Sequence, residues 1–133
     1  MALEGGCFCG AVRYRVGGTP FDVTHCHCRD CRRVAGAAFV TWFSVRARDL
    51  DVSGQPERLA SSPGVERTFC GRCGTPLTWR RFERDEIDVT AASLDDPAAV
   101  TPEDHVWTSQ QLPWVRLSDG LPRHDRARPP VVA

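Results

Sequence analysis

Three cysteines fall within six residues in Cys26-His27-Cys28-Arg29-Asp30-Cys31, spaced C-x-C-x-x-C. Four more stand in two pairs, Cys7-Phe8-Cys9 upstream and Cys70-Gly71-Arg72-Cys73 downstream. Thiols clustered in this way are metal ligands, and zinc is the metal that four thiolates suit. A zinc with four protein ligands is closed and structural, whereas three leave a position for water or substrate. Seven cysteines divide into one set of each kind, so the expectation is one closed zinc site and one open one. The three-cysteine stretch is the candidate working site. A dication held by three thiolates carries a net charge of about −1, which damps its Lewis acidity. It still suits a soft fourth ligand, such as a substrate sulfur kept as thiolate. Thiol chemistry is the reaction class these residues point to. The competing reading closes the site with His25, His27 or a carboxylate and makes it a second structural zinc.

The elements around the cysteines must bring the sulfurs together. Residues two apart on an extended strand share a face, so Cys7 with Cys9, and Cys26 with Cys28, can each aim two sulfurs at one ion. Cys70 and Cys73 need a tight turn instead, for which Gly71 and Gly74 provide backbone freedom. Joining Cys7/Cys9 to Cys70/Cys73 would close a long loop and make metal-binding free energy part of folding free energy. Spacing alone equally permits Cys26 and Cys28 to join Cys70 and Cys73.

Short strands account for most of the chain. Residues 10–16 alternate, with Val12, Tyr14 and Val16 on one face and Arg13 and Arg15 on the other. Phe21 to His25 reads as a short strand entering the three-cysteine stretch, and Asp30 to Arg33 as one helical turn. Ala37 to Val45, apolar on both faces, is expected near the middle of a sheet. Leu50-Asp51-Val52 and Glu57 to Ala60 flank the turn Ser53-Gly54-Gln55-Pro56. Val65 to Phe69 leads into Cys70, and Thr75 to Phe82 leads away from Cys73. Glu86 to Ser93 alternates again, and 95–100 suggests a helical turn. Trp107, Leu112, Trp114, Val115 and Leu117 are expected to pack the tail onto the sheet, and Arg126 to Ala133 to fray. Strands this short with Gly/Pro turns between them indicate an all-β domain. At 133 residues the expectation is one domain, 1–133, with its core over about 5–124.

Composition narrows the partners. Seventeen basic residues balance seventeen acidic ones, which argues against nucleic-acid binding. No run of about 18 apolar residues occurs, so no membrane span is expected. The first residues lack the features of a signal peptide, and an odd number of clustered cysteines favours metal over disulfide. A cytoplasmic location is therefore expected. Every basic side chain apart from histidine is arginine, whose planar fork suits carboxylate ligands. His105 and His124 stand alone and read as surface or packing residues; the four tryptophans read as core. No serine has a base arranged beside it.

Three motifs resemble one known family. Gly6-Cys7-Phe8-Cys9-Gly10, Cys26-His27-Cys28-Arg29-Asp30-Cys31 and Phe69-Cys70-Gly71-Arg72-Cys73-Gly74-Thr75-Pro76-Leu77 are similar to those of the glutathione-dependent formaldehyde-activating enzymes, which share their domain with centromere protein V. Leu112-Pro113-Trp114 and Asp119-Gly120-Leu121-Pro122 resemble the family's ending. The resemblance spans roughly residues 5–124. It implies a β-tent fold of small antiparallel sheets. It also implies a structural zinc on Cys7, Cys9, Cys70 and Cys73 and a second zinc on Cys26, Cys28 and Cys31. The implied activity is a carbon–sulfur lyase or synthase reaction, adding formaldehyde or a related aldehyde to glutathione or another small thiol, or the reverse.

Within that reading, His27 and Asp30 are the candidate catalytic proton donors. Arg29, Arg32, Arg33 and Arg72 are the candidates for binding glutathione carboxylates or offsetting thiolate charge. An open three-thiolate site is expected to lose metal or oxidise more readily than a closed one, so the second zinc site is the one expected to be partly empty. The alternative is a non-catalytic zinc scaffold that binds a thiol, a peptide or a partner protein, since one fold can host several activities.

Overall fold

The computed structural model describes residues 3–130. Ten strands form two sheets, and the class is all-β with little helix, as expected. Strands β1 (Leu3–Gly6), β2 (Arg13–Val16) and β5 (Leu50–Ser53) make an antiparallel sheet in the order β1-β2-β5. The larger sheet has the order β10-β3-β4-β9-β8-β7-β6. Its strands are β3 (Phe21–Cys26), β4 (Val40–Arg46), β6 (Glu57–Ser62), β7 (Val65–Phe69), β8 (Pro76–Arg81), β9 (Glu86–Thr90) and β10 (Asp104–Val106). Only β10 lies parallel to its neighbour, β3. Helix α1 (Arg29–Ala35) is the single α-helix among the described residues.

The period of two sorts the large sheet into two working faces. Val23, Phe43, Val45 and Val89 point one way, against Tyr14 and Val16 of the small sheet and Val12 just before it, and form the main core together with Leu77, which joins it at the register shift between β7 and β8. Thr24, Cys26, Trp42, Ser44 and Asp88 at the alternate positions, with Trp79 opposite Asp88, point the other way and line a cavity. β4, third in its sheet, is buried on both faces because it carries a wall of each kind.

The structure refines the local reading at three points. The two segments that flank Ser53–Pro56 do not pair: β5 belongs to the small sheet, while β6 pairs with β7 at the far edge of the large one. Gly54 makes the passage possible, with φ of 86° and a position where any Cβ would lie 2.3 Å from the Ala11 carbonyl oxygen. The strand expected over residues 10–16 is shorter, because 10–12 belong to the turn that holds Cys7 and Cys9. The helical turn at Asp30–Arg33 extends to a seven-residue helix, ended by Gly36 in the left-handed conformation.

The tail is held differently from expectation. Trp114 is 69% exposed and Leu117 36%, so neither packs the tail onto the sheet. Main-chain bonds do this instead: His105 N–H donates to Pro122 O, His124 N–H to His105 O, and Trp107 N–H to Arg126 O. Nor do residues 126–130 fray as a unit. Arg128 Nε donates to Asp104 Oδ2 at 2.6 Å, and its Nη1 reaches Asp22 and Glu103. Residues 131–133 lie outside the described residues. No helix among the described residues is long and apolar enough to cross a membrane.

Asp104 is 4% exposed, so the Arg128 clamp holds a buried carboxylate. Burial raises its pKa, but the Arg128 hydrogen bond and the Arg128 and His124 charges outweigh that and hold it below the ordinary value. An Arg128→Met variant is expected to lose about 2 kcal/mol in urea denaturation at pH 7. The folded pKa is the lowered one, so this contribution is present at neutral pH and fades in acid as Asp104 protonates. Wild type and variant therefore converge as the pH falls below about 4.

Candidate metal centres and the cavity between them

Two groups of sulfurs assemble in the fold. Those of Cys7, Cys9, Cys70 and Cys73 lie within 4.8 Å of one another, and so do those of Cys26, Cys28 and Cys31. No histidine or carboxylate among the described residues joins the second group. The exchanged pairing is not the one that forms.

The four-cysteine group joins two turns. Cys7 N–H donates to Val12 O, and Val12 N–H donates to Cys7 Sγ at 3.2 Å, so Cys7 and Cys9 lie in a knuckle rather than on an extended strand. Gly10, with φ of 82°, completes it. The second turn is closed by Gly74 N–H to Cys70 O at 2.7 Å and Cys70 N–H to Thr75 O at 3.0 Å. Gly74 has the positive φ that the tight turn requires. Phe8 N–H donates to Thr75 Oγ1, tying one turn to the other.

The three-cysteine group forms where β3 becomes α1. Cys26 is the last residue of β3, and Cys28 caps the helix, its sulfur accepting the Cys31 N–H at 3.3 Å. One turn along the helix, Cys31 comes back beside Cys26 at a sulfur–sulfur distance of 3.5 Å. Helical rather than extended geometry thus brings Cys28 and Cys31 to Cys26.

The donor sets fit zinc. Four sulfurs about 2.3 Å from a tetrahedral centre stand about 3.8 Å from one another. Measured separations are 3.6 Å for Cys7–Cys9, 3.8 Å for Cys9–Cys70 and 3.5 Å for Cys26–Cys31. Crowded sulfurs also perturb one another's protons. Hydrogen bonds from Cys26 and Cys31, with the Cys31 and Asp30 N–H groups, draw Cys28 down to about 2, while the same contacts push Cys26 well up. Cys73 falls to about 5, chiefly through Thr75, and Cys9 rises to about 11. Crowding thus favours a thiolate on one sulfur of each group and a proton on a neighbour, and a cation bound there would displace that proton.

Only the three-cysteine group faces the cavity, which has a volume of ≈ 960 Å³. Cys26, Cys28 and Cys31 are part of its lining, and Trp42, Trp79 and Trp107 supply apolar wall. Three of the four tryptophans thus line the cavity as well as packing against this cysteine group. Trp107 sits at φ of 55°, a left-handed conformation rare for so bulky a residue. Charged side chains complete the lining: Arg29, Arg67, Arg81, Arg84 and Arg128 against Asp22, Asp30, Glu86 and Asp88.

The six candidates from the sequence are distributed unevenly. Arg29 and Asp30 line the cavity. Arg32 is half-buried, with Nε donating to His27 O, and Arg33 is exposed; neither is part of the lining. Arg72 is exposed in the turn of the four-cysteine group. His27 is fully buried and stacks on Phe39 and His105. Its Nε2 lies 2.9 Å from His105 Nδ1, and His105 Nε2 lies 2.8 Å from Asp119 Oδ2. The Leu121 N–H, which outweighs burial, and the His105 bond hold Asp119 as a carboxylate. Asp119 therefore accepts from His105, whose other ring nitrogen is hydrogen-bonded to His27. Burial, with the nearby charges, lowers His27 to about 4 and keeps it neutral. His105 is thus a buried link in a chain rather than an isolated residue.

Sequence reasoning missed Arg67 and Asp88. Arg67 is 5% exposed on β7, with Nη2 3.9 Å from Cys31 Sγ. Asp88, on β9, accepts from Ser44 Oγ at 2.6 Å. Burial, opposed by the Ser44 bond and assisted by Glu86 and Asp22, pushes it up to about 6. The signal for both was alternation: each sits two residues from another cavity residue, Val65 and Glu86. A polar residue on a half-buried strand, however, normally faces solvent.

The relatives agree with this architecture. The family model described as glutathione-dependent formaldehyde-activating enzyme matches residues 2–110. A protein of Halomonas elongata, provisionally named as such an enzyme, is 33% identical over 130 residues, covering 88% of this chain and 82% of its own. An uncharacterized lyase of Schizosaccharomyces pombe is 30% identical over 74 residues, 56% of this chain and 54% of its own. Among solved structures, a Rhodobacter sphaeroides protein superposes with a TM-score of 0.59 at 28% identity, covering 74% of this chain and 91% of its own. With both cysteine groups and the cavity lying largely within the matched residues, the chain belongs to the glutathione-dependent formaldehyde-activating enzyme family.

Proposed function

We propose that this chain binds zinc at both cysteine groups and catalyses the reversible addition of formaldehyde, or a related small aldehyde, to glutathione or a similar thiol. The observation that carries this reading is the contrast between the two groups. One has four sulfurs and lies outside the cavity lining; the other has three, and all three line a large cavity. Family membership supports the thiol and the aldehyde. The cavity lies at the upper end of the usual range of about 300–1,000 Å³ for small-molecule sites, and is roomy enough for a tripeptide thiol. A reducing compartment such as the cytoplasm keeps seven free thiols available for metal.

In the forward direction a sulfur–carbon bond forms, the carbon–oxygen π bond opens, and the thiol proton is transferred overall to the new hydroxyl. Zinc, when bound, supplies the positive charge that favours a thiolate at neutral pH. The chain's own residues do the rest. The three tryptophans exclude water from around the sulfur, and Arg29 can pair with a substrate carboxylate at the cavity wall. Asp88 has the proton affinity to give a proton near neutral pH and take it back in the reverse direction. Asp30 is the second carboxyl available for this role, whereas His27 is enclosed with His105 and Asp119.

Two zincs per chain are expected in wild type and one in Cys28→Ser. Serine is also a good helix cap, so that variant keeps its fold. Its formaldehyde–glutathione exchange rate is expected to fall to the uncatalysed level. Wild-type exchange no faster than in the absence of protein would instead establish a non-catalytic scaffold.

Asp88→Asn separates catalysis from folding. Turnover at pH 7 is expected to fall by about 100-fold. Stability moves the other way. The folded pKa is raised, so the native protein holds the extra proton between about 4 and 6, and wild-type stability falls as pH rises through that window. Melting temperatures at pH 4 and pH 7.5 are expected to favour the Asn variant only at the higher pH.

A further inference from the structure

Arg67 is a buried charge whose counter-charge is not a carboxylate. It sits on β7 between Leu59 of β6 and Trp79 of β8, with its side chain in the cavity lining. Its guanidinium can be accounted for nitrogen by nitrogen. Nε and Nη1 are buried without a hydrogen-bond partner, and Nη2 is 3.9 Å from Cys31 Sγ. Other arginines of the lining are placed differently: Arg128 has three carboxylates in reach, and Arg84 is exposed beside Glu86. Burying a guanidinium is costly unless an anion compensates it. Beside Arg67 the available anions are the thiolates of Cys26, Cys28 and Cys31.

The charge count shows what this does. Three thiolates with one dication total about −1, and a fourth thiolate brings the total to about −2. A second negative charge is hard to hold at a half-dry wall of tryptophan unless a positive charge is already there. Arg67 supplies it without ordering a mobile side chain, because it is already packed in place.

We infer that Arg67 is a positioning residue of the three-cysteine site, selecting an anionic sulfur over a neutral donor as the fourth ligand. Its role is charge rather than fork geometry, and it acts on the ligand's sulfur, not on distant carboxylates of the substrate. The inference rests on the thiol-site reading above.

The test replaces zinc with cobalt(II), whose thiolate absorption reports ligands entering the three-cysteine site. Binding is measured for 2-mercaptoethanol, which has no carboxylate, and for imidazole, which is neutral. Arg67→Met is expected to weaken 2-mercaptoethanol by about tenfold to a hundredfold and to leave imidazole within about threefold. Arg67→Lys, which restores the charge alone, is expected to recover thiol affinity to within about fivefold of wild type. Equal thiol affinity in wild type and Arg67→Met overturns the inference, and so does parallel loss of thiol and imidazole. Should Arg67→Met fail to fold, Arg67→Lys decides: selective loss of thiol binding there overturns the charge role, and retention supports it. A wild-type spectrum that imidazole moves and thiol does not overturns the thiol-site reading itself, and this inference with it.

Discussion

Sulfur crowding is the constraint on which the rest of the structure depends. Contacts of 3.5–3.8 Å between thiols are too long for a disulfide and match the edge of a thiolate tetrahedron. Where Cys9 meets Cys70, the contact bridges 61 positions of sequence. A cation held there would tie the knuckle after β1 to the turn between β7 and β8, and so would fasten the small sheet to the large one. Cys7 and Cys70 belong to the main core, which makes the four-cysteine group part of the packing. A domain of this size gains from such a closure, because the loop entropy is removed where the two sheets meet.

The large sheet turns one polypeptide pattern into two environments. Phe43 and Val45 bury themselves against the small sheet, while Trp42 and Ser44 beside them face the cavity. The same alternation puts Val89 in the core and Asp88 at the cavity wall. Core packing therefore fixes the positions of the cavity residues: a strand cannot slip by one residue without exchanging the two faces. Rigidity of this kind is what a site needs to hold a sulfur and a proton carrier in constant relation.

Buried charge marks the regions where packing is not the only consideration. Asp104 is sealed by Arg128 and His124, and this network holds residues 124–128 against β3 and β10. The chain Asp119–His105–His27 links the 119–121 turn to the residue between two cysteines of the three-cysteine group. Both networks connect the C-terminal segment to the strand that delivers Cys26. Arg67 differs from them in having only sulfur beside it, and Asp88 in accepting its hydrogen bond from a serine hydroxyl.

The sequence by itself determined the inventory of candidate ligands, because metal chemistry needs particular atoms at short spacings, and thiols so spaced have few other uses. It also determined β7 and β8 closely, and β4 and β9 with one end three residues too long, where alternation and turn residues are local signals. Resemblance, not spacing, divided the seven cysteines, and the fold arranges them in the same two groups. Tertiary structure alone decided the rest. Cys26 and Cys28 are brought together by a strand-to-helix junction, which depends on where β3 ends against β4 and not on the C-x-C spacing. His105 reads as isolated until β10 pairs with β3 and places it beside His27. Arg67 and Asp88 look like ordinary polar positions of half-buried strands. Which face of a strand meets water depends on what packs over it, and that is set by contacts between residues far apart in the chain.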